Sequence, residues 1–313
     1  MTATLKEILE KLAAGEITAA QAEEQLHNLQ QQQADTEGVN WAGGWGLNHE
    51  FQEVHTGTLE SQTDLDLSSA NGSITVETWD QAEFRLEIKK TVRGISKKAA
   101  QQMADSVSLA NIGPSSIQAG DRLCNATLRK QLSVSMRLQL PNNIQTAGKI
   151  RTANGSIRLE GLNLSEIDVA SANGSIKVLE CSGEKLKVKT VNGAVTFEGT
   201  MPHLACSTTN GSVTVANRID AGDIRLSTVN GALRLALPAE QDSGISLEAR
   251  SVSSRLSVSH PAFASKLEGR MRKAELQSNN WDTADKKIQV EMKSVNGGIN
   301  LTTEQQPPDS AAS

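Results

Sequence analysis

The chain has 313 residues and a formal net charge of −5, with 31 Lys and Arg against 36 Asp and Glu. This acidic balance argues against a general nucleic-acid surface, which needs clustered basic residues. Aromatic residues make up only 3% of the chain and tyrosine is absent, so we expect a core of Leu, Ile and Val. The length allows one large domain or two ordinary ones.

Residues 1–30 predict a helical hairpin. A helical pattern ends at Gly15, a residue typical of helix C-termini, and Thr18 with Gln21 forms a capping box that opens a second helix. Because two short helices bury little surface alone, we expect them to self-associate or to bind a protein partner. The apolar residues of the first helix are Leu5, Ile8, Leu9 and Leu12.

Residues 31–57 predict a polar linker that ends in a glycine-rich stretch with Trp41 and Trp45. These tryptophans either pack onto the main domain or form an exposed adhesive patch. The charged, amphipathic start of the chain is unlike a secretory signal, and no stretch approaches the roughly 18 apolar residues of a membrane span. We therefore expect a cytoplasmic protein, either free or associated with a membrane.

Alternation of apolar and polar residues predicts a β domain over residues 58–302. A helical pattern near residues 95–110 interrupts it, with Ser96 as the cap. The tail over residues 303–313 contains Pro307 and Pro308 among small polar residues and is expected to be disordered.

The dipeptide Asn-Gly divides this domain at nearly constant intervals. Five copies follow one another at steps of 19, 19, 18 and 20 residues, and outlying copies begin at Asn71 and Asn296. A period near 20 residues predicts stacked repeats, each with two short strands. The five regular copies begin at Asn154, Asn173, Asn192, Asn210 and Asn230.

Two folds could use this repeat. Asn-Gly favours two-residue hairpins in an antiparallel meander, or it forms the corner of a solenoid coil that needs a positive φ. Ser or Thr recurs two residues before each Asn, as at Thr152, Ser171 and Thr190, which a hairpin does not require. We therefore favour a mainly β fold, a β-solenoid with coils of about 19 residues whose Asn side chains stack as a hydrogen-bonded ladder.

Superposed units place apolar residues in columns that would form the core. The column of Cys206 predicts that this thiol is a small buried hydrophobe. One unit departs, because Ser253-Ser254 replaces Asn-Gly, and residues 261–285 predict an excursion before Asn296-Gly297 closes the stack. Two columns are Ile167, Leu186, Leu204, Ile224 and Ile245, and Val169, Val188, Cys206, Leu226 and Leu247.

Candidate reactive residues form no catalytic constellation in the sequence. Asp64 and Asp66 share a strand face and could bind a cation or serve acid–base chemistry, but a solvated face is favoured. Lys185, Lys187 and Lys189 form either another solvated face or a charged docking surface. We therefore predict no catalytic, cofactor-binding or metal-binding residue. The remaining candidates are scattered, namely His27, His49, His55, His203, His260, Cys124 and Cys181.

The chain resembles the bacterial "putative adhesin" family of unknown function, of DUF4097 type. The resemblance lies in the run from Leu65 to Val76, in Trp79-Asp80 and in the serial Asn-Gly units. The run from Leu12 to Ala22 resembles the short SHOCT-like bihelical module that precedes this domain in envelope-stress proteins. The resemblance implies a β-solenoid-like domain without known enzymatic activity, and it offers no catalytic residues.

These observations favour a non-enzymatic scaffold or binding protein linked to cell-envelope stress or adhesion. The expected partners are a protein bound through the N-terminal helices, a second copy of the chain, or an envelope component. One alternative is a carbohydrate-active β-helix enzyme, which would need clustered carboxylates and usually stacked aromatics. Another is a structural protein that self-assembles through exposed coil edges.

Overall fold

A computed structural model describes residues 47–94, 96–124, 132–239, 242–252, 255–264 and 266–303. The helical hairpin predicted for residues 1–30, the two linker tryptophans and the predicted tail from residue 304 lie outside the described residues. The chain divides into two compact units. The smaller comprises residues 1–49 and 93–101, and the larger comprises residues 50–92 and 102–313.

The described part of the chain is mainly β, with one α-helix, α1 (Lys97–Asp105), and one 3-10 turn (Asp121–Leu123). Residues 47–57 were predicted to belong to the linker, but they form a strand. The Glu, Gln and His residues of this strand obscure the alternation of apolar and polar residues that would have predicted it. The strands are β1 (Leu47–Gly57), β2 (Gln62–Asn71), β3 (Ile74–Trp79), β4 (Phe84–Gly94), β5 (Ala110–Gly113), β6 (Ser116–Gly120), β7 (Leu132–Pro141), β8 (Gln145–Asn154), β9 (Ile157–Glu160), β10 (Asn163–Ser171), β11 (Ile176–Thr190), β12 (Val195–Thr200), β13 (His203–Thr208), β14 (Val213–Asn217), β15 (Gly222–Thr228), β16 (Leu233–Leu237), β17 (Gly244–Ser251), β18 (Arg255–Ser259), β19 (Leu267–Arg270), β20 (Lys273–Gln277), β21 (Lys287–Ser294) and β22 (Ile299–Thr303).

In the larger unit, pairs of strands form eight stacked layers. In each layer one strand runs towards a corner and the next leaves it, so the unit has an inbound stack and an outbound stack of parallel strands. This is the solenoid-like arrangement rather than an antiparallel meander. In spatial order the layers are 1 (β2, β3), 2 (β8, β9), 3 (β10, first half of β11), 4 (second half of β11, β12), 5 (β13, β14), 6 (β15, β16), 7 (β21, β22) and 8 (β17, β18).

The core consists of aliphatic columns that run through the layers, as the repeat predicted. Each inward residue lies opposite its equivalent one layer away, for example Ile176 between Ile157 and Val195. The predicted column positions of Ile245 and Leu247 are wrong by two residues. Leu247, not Ile245, lies in the column of Ile224, because both pair with Val290 of β21. In the inbound stack, Ile224 and Leu226 of layer 6 lie opposite Val290 and Met292 of layer 7.

The layers do not follow the order of the sequence at the C-terminal end. After β16 the chain passes to layer 8, and only afterwards does β21 enter the gap, pairing with β15 on one side and β17 on the other. The prediction that Asn296-Gly297 closes the stack is therefore wrong. The strands on either side of Ser253-Ser254, β17 and β18, form the terminal layer, and the two serines themselves lie outside the described residues.

Antiparallel strands cover both ends of the stack. The predicted excursion over residues 261–285 contains β19 and β20, which pair antiparallel with β18 and β17. At the other end β6 and β7 pair with the strands of layer 1, and antiparallel β5 and β4 lie outside them. At this end β6 and β7 pair parallel with layer 1, so the antiparallel strands lie one step further out than at layer 8.

The Asn side chains form the predicted ladder along the corner. Each amide Nδ2 donates to Oδ1 of the preceding layer, from Asn154 to Asn71 at 2.9 Å and from Asn296 to Asn230 at 3.0 Å. The four bonds between these ends are each 2.8 Å. The ladder therefore joins layers 1 to 7 without a break.

The corner glycines are required by close packing between layers. A Cβ at Gly193 would lie 2.1 Å from the carbonyl oxygen of Gly174, and the equivalent distances at the other stacked corners are 1.8 to 2.0 Å. The expectation of a positive φ at Asn-Gly is wrong, since the described residues with positive φ lie elsewhere, at Gly148 and Glu180 among others. Glycine stands at these corners because the neighbouring carbonyl leaves no room for a side chain.

The recurrent Ser and Thr residues bind the same carbonyl oxygens. Thr152 Oγ1 donates to the carbonyl of Gly72 at 3.0 Å, and Thr190 Oγ1 to that of Gly174 at 3.1 Å. These hydroxyls are buried, so the bond satisfies a donor and an acceptor that water does not reach. The repeat of Ser or Thr two residues before Asn follows from this contact.

Candidate binding groove

A groove of about 450 Å³ lies beside the corners of layers 5 to 8, on the side of the inbound stack. It spans three interstrand steps, which at ~4.8 Å each gives a length of about 14 Å. Its lining comes from the last residues of β13, β15, β21 and β17 and from the turn before β20. The lining residues are Thr208, Ser227, Thr228, Val229, Arg250, Ser251, Val252, Arg272, Lys293, Ser294 and Val295.

The floor of the groove consists of buried hydroxyl side chains in register across four strands. Three of them donate to glycine carbonyls, Thr208 at 2.9 Å, Thr228 at 3.0 Å and Ser294 at 3.5 Å. The fourth, Ser251, is 6% exposed, and its Oγ has no hydrogen-bond partner in the described part of the molecule. One buried donor of the floor is thus left unsatisfied.

The apolar part of the groove is a row of three valines in adjacent layers. Val229 is 39% exposed, Val295 37% and Val252 61%. The equivalent position just before the corner holds only alanine in layers 1 to 3, as at Ala153 and Ala172. Layer 4 also has a valine at this position, Val191, but Thr209 of layer 5 separates it from the three valines, which form an unbroken apolar strip in layers 6 to 8.

Basic side chains form the charged part of the groove. Arg250 lies directly opposite Lys293 in the neighbouring strand, and like charges in this position repel each other. Each forms an ion pair within its own strand, Arg250 with Glu248 and Lys293 with Glu291. The exposed Arg272 has no ion-pair or hydrogen-bond partner for its side chain among the residues that the structure describes.

This arrangement offers apolar, cationic and hydroxyl groups to a ligand. The residues that line the groove include neither a carboxylate nor an imidazole nor a thiol. Valine side chains favour an apolar ligand surface, and guanidinium and ammonium groups favour an anion. This groove was not predicted from the sequence, although a valine precedes four of the corners.

The residues weighed from sequence lie elsewhere. Asp64 and Asp66 lie on the outward face of β2, where Asp66 is 3.9 Å from Arg122. Lys185 pairs with Glu166 of the next layer at 2.5 Å, and this contact holds the pKa of Glu166 below its ordinary value. The described residues contain no cluster of three or more His, Cys, Asp or Glu suited to a metal ion.

The cysteines and His260 are accounted for by packing. Burial raises the pKa of Cys206 to about 12 and that of Cys181 to about 11, so neither is a reactive thiolate at neutral pH. His260 Nδ1 accepts from the Ala262 amide at 3.2 Å, and Nε2 lies 3.0 Å from the carbonyl oxygen of Pro238. Burial lowers the pKa of His260, which suits the neutral ring of this arrangement.

A second polar cluster lies near the end of α1. The buried Lys90 Nζ donates to the carbonyls of Ala104 at 3.1 Å and Val107 at 3.0 Å and pairs with Glu53 at 2.6 Å. Glu53 also bonds to His55 at 2.5 Å. Burial would raise the pKa of Glu53, but the bonds from Lys90 and His55 outweigh it and lower the pKa. The cluster holds the end of the helix and is structural.

The fold defines a repeat domain of parallel β layers around an aliphatic core. Residues 131–302 match the family model Toastrack DUF4097, and the chain belongs to that family. None of the curated proteins matches the chain. Among the described residues, no helix has the length and apolarity that a membrane crossing requires.

Solved structures that the chain matches include the following three. One is a "putative cell adhesion protein" from Clostridium sporogenes, with 13% identity, 82% of this chain and 100% of that chain covered, and a TM-score of 0.34. Another is a "putative adhesin" from Bacteroides fragilis, with 13% identity, coverage of 80% and 97%, and a TM-score of 0.39. A "putative lipid binding protein" from Parabacteroides distasonis has 9% identity, coverage of 81% and 97%, and a TM-score of 0.21.

Proposed function

We propose that this protein is a non-enzymatic binding protein and that its ligand site is the groove beside the corners of layers 5 to 8. The observation that carries the proposal is the row of exposed valines next to Arg250, Arg272 and Lys293. Exposed apolar side chains that meet cations in a concave surface are typical of a recognition site. Elsewhere in the inbound stack some charges are paired between neighbouring layers, as Lys185 is with Glu166 and His203 with Asp223.

The two alternative functions have less support. A carbohydrate-active enzyme would need carboxylates and stacked aromatic rings, and the groove lining has neither. Self-assembly through coil edges is opposed by β19 and β20, which are short and carry Glu268, Arg270, Lys273 and Glu275. Short charged edge strands disfavour pairing with another chain.

The proposal includes a role as a scaffold for a protein partner at the cell envelope, in keeping with the family resemblance. Cytoplasmic location, with or without membrane association, is also proposed. Fractionation of cells into soluble, membrane and external material would locate the protein. Recovery only in the external fraction would contradict the cytoplasmic part of this proposal.

A selection experiment tests the groove across several classes of ligand at once. The full chain would be immobilised and offered a displayed peptide library, a lipid panel and a glycan panel. The blocked variant carries Val252→Glu and Val295→Glu, which place acids beside the cations of the groove. The matched control is Val191→Glu, because Val191 occupies the same column, is 46% exposed and does not line the groove.

We expect the wild type and the Val191→Glu control to capture the same ligands and the blocked variant to lose them. Circular dichroism and thermal unfolding would verify that all three proteins are folded. Ligands that bind all three proteins equally would place the binding site away from the groove and contradict the proposal.

A further inference from the structure

The chemistry of the groove also indicates which class of ligand it takes, an inference that rests on the function proposed above. Arg272 is exposed and its side chain lacks a partner in the described part of the chain, while the glutamates that pair with Arg250 and Lys293 lie outside the lining. The groove therefore offers positive charge that is only partly neutralised. Its complement is an anionic group.

The valine row adds an apolar requirement. Val229, Val295 and Val252 are in adjacent layers at interstrand spacing, so their side chains form a continuous strip about 10 Å long between the first and the last. A bare anion such as phosphate would leave this strip exposed. A ligand with aliphatic side chains next to its acidic groups would bury it.

The dimensions of the groove suit an extended chain. Its length of about 14 Å matches about four residues of extended polypeptide, which rises by about 3.3 Å per residue. The buried hydroxyl of Ser251 has no acceptor, and after a rotation of this side chain towards the groove it would donate a hydrogen bond to a carboxylate or peptide carbonyl of a bound chain. These features favour a linear ligand that carries oxygen acceptors along its length.

We propose that the groove binds a short acidic peptide segment, rich in aliphatic residues and extended along the layers, with its carboxylates at Arg272, Arg250 and Lys293. An anionic membrane surface is the competing occupant. A concave groove about 14 Å long fits an extended chain better than a planar membrane surface. The peptide is therefore favoured.

Fluorescence anisotropy with defined probes tests this proposal. The probes are a labelled peptide that alternates valine and glutamate, its analogue with lysine in place of glutamate, and vesicles of neutral lipid with or without phosphatidylglycerol. The variants of the full chain are Arg272→Gln and Ser251→Ala. The matched control is Lys189→Gln, since Lys189 lies three residues before its corner, as Lys293 does, but outside the groove.

We expect saturable binding of the acidic peptide, weakened by salt, and none of the lysine analogue. Arg272→Gln should weaken the affinity about fivefold to tenfold, the usual size of one exposed charge-assisted contact, and Lys189→Gln should leave it unchanged. Ser251→Ala should weaken binding while leaving the unfolding midpoint unchanged or raised, because it removes an unsatisfied buried donor. If Ser251 were only structural, Ser251→Ala would not lose peptide affinity while keeping its unfolding midpoint.

Two outcomes would overturn the peptide proposal and leave the binding function intact. In one, phosphatidylglycerol vesicles bind and Arg272→Gln weakens them while the peptide does not bind. In the other, the selection experiment yields ligands of different chemistry that the blocked variant loses. Equal peptide binding by the wild type and Arg272→Gln would also overturn the proposal.

Discussion

Packing at the corner explains why this chain repeats Asn-Gly rather than another turn dipeptide. The Asn amide bonds to its equivalents in both directions, and the adjacent glycine leaves room for the carbonyl of the next layer. The same carbonyl accepts from a Ser or Thr hydroxyl. The Asn, the Gly and the Ser or Thr of each unit thus take part together in the packing of one corner on the next.

Gly193→Ala tests this contact. The added Cβ would lie 2.1 Å from the carbonyl oxygen of Gly174, so one layer must move. We expect a loss of about 2–3 kcal/mol in the free energy of unfolding, typical of overpacking in a rigid site. Urea denaturation monitored by circular dichroism would measure it.

Gly298→Ala is the matched control, since its Cβ would lie 3.6 Å from the nearest heavy atom, the carbonyl oxygen of Arg255. We expect a change within about 0.5 kcal/mol there, as for ordinary surface substitutions. Equal losses for Gly193→Ala and Gly298→Ala would show that close packing is not the reason for the glycines.

The Asn ladder and the Ser or Thr column were predictable because both repeat with the coil. The physical reason for the glycines was not, because a sequence shows that glycine recurs without showing whether φ or a neighbouring atom demands it. The groove was missed for a related reason. Val252 and Val295 are far apart in the chain, and only the strand pairing shows that their layers are adjacent.

Helix α1 is short, and one buried cation, Lys90, contacts the backbone at its C-terminal end. Lys90 of β4 reaches the carbonyl of Ala104 within the helix and that of Val107 beyond it. Cations near a helix C-terminus are favourable because the last carbonyls have no partner within the helix. Glu53 of β1 balances the charge of Lys90.

Lys90→Met should destabilise this region, because the carbonyls of Ala104 and Val107 lose their bonds to Lys90 and Glu53 loses its ion pair with it. We expect a loss of about 1–3 kcal/mol and faster amide hydrogen exchange in residues 102–107. Lys89→Met is the control, since Lys89 is 55% exposed and pairs with Glu50 at the surface. A change within about 0.5 kcal/mol is expected there. Equal effects for both would deny a special role to Lys90.

The order of the layers is the main feature of the whole molecule that the sequence did not reveal. Parallel pairing is satisfied equally well by either neighbour, so periodicity alone cannot tell whether the last coil stacks on the end or enters a gap. The lack of an Asn-Gly pair in the sequence between β17 and β18 was the available signal, because these strands form the last layer and no further layer has to bond to it. Layer 8 and its antiparallel strands thereby cover layer 7.

Removing this cover tests whether it prevents association through the strand edges of the stack. Residues 238–286 would be replaced by the four residues Arg218–Ala221, which already join β14 to β15, so that layer 7 follows layer 6 directly. The exposed edges of β21 and β22 could then pair with another molecule. We expect concentration-dependent association in sedimentation velocity.

The full chain is the reference, with Gly298→Ala as a substitution control that keeps the cover. A shortened protein that is folded, monomeric and equally soluble at all concentrations would mean that layer 8 does not protect the stack. The groove also disappears in this variant, so peptide binding should be lost in the same preparation.

The Asn ladder has a direction as well as a length. From Asn154 to Asn296 each amide donates to the neighbouring layer on the layer 1 side, so the seven amide dipoles of the ladder point the same way. Aligned dipoles add, and chains of hydrogen bonds polarise one another. The carbonyl end of this row is Asn296, next to Val295 of the groove. The corner therefore acts as an oriented electrostatic element whose negative pole is at layer 7, one residue along the chain from the groove.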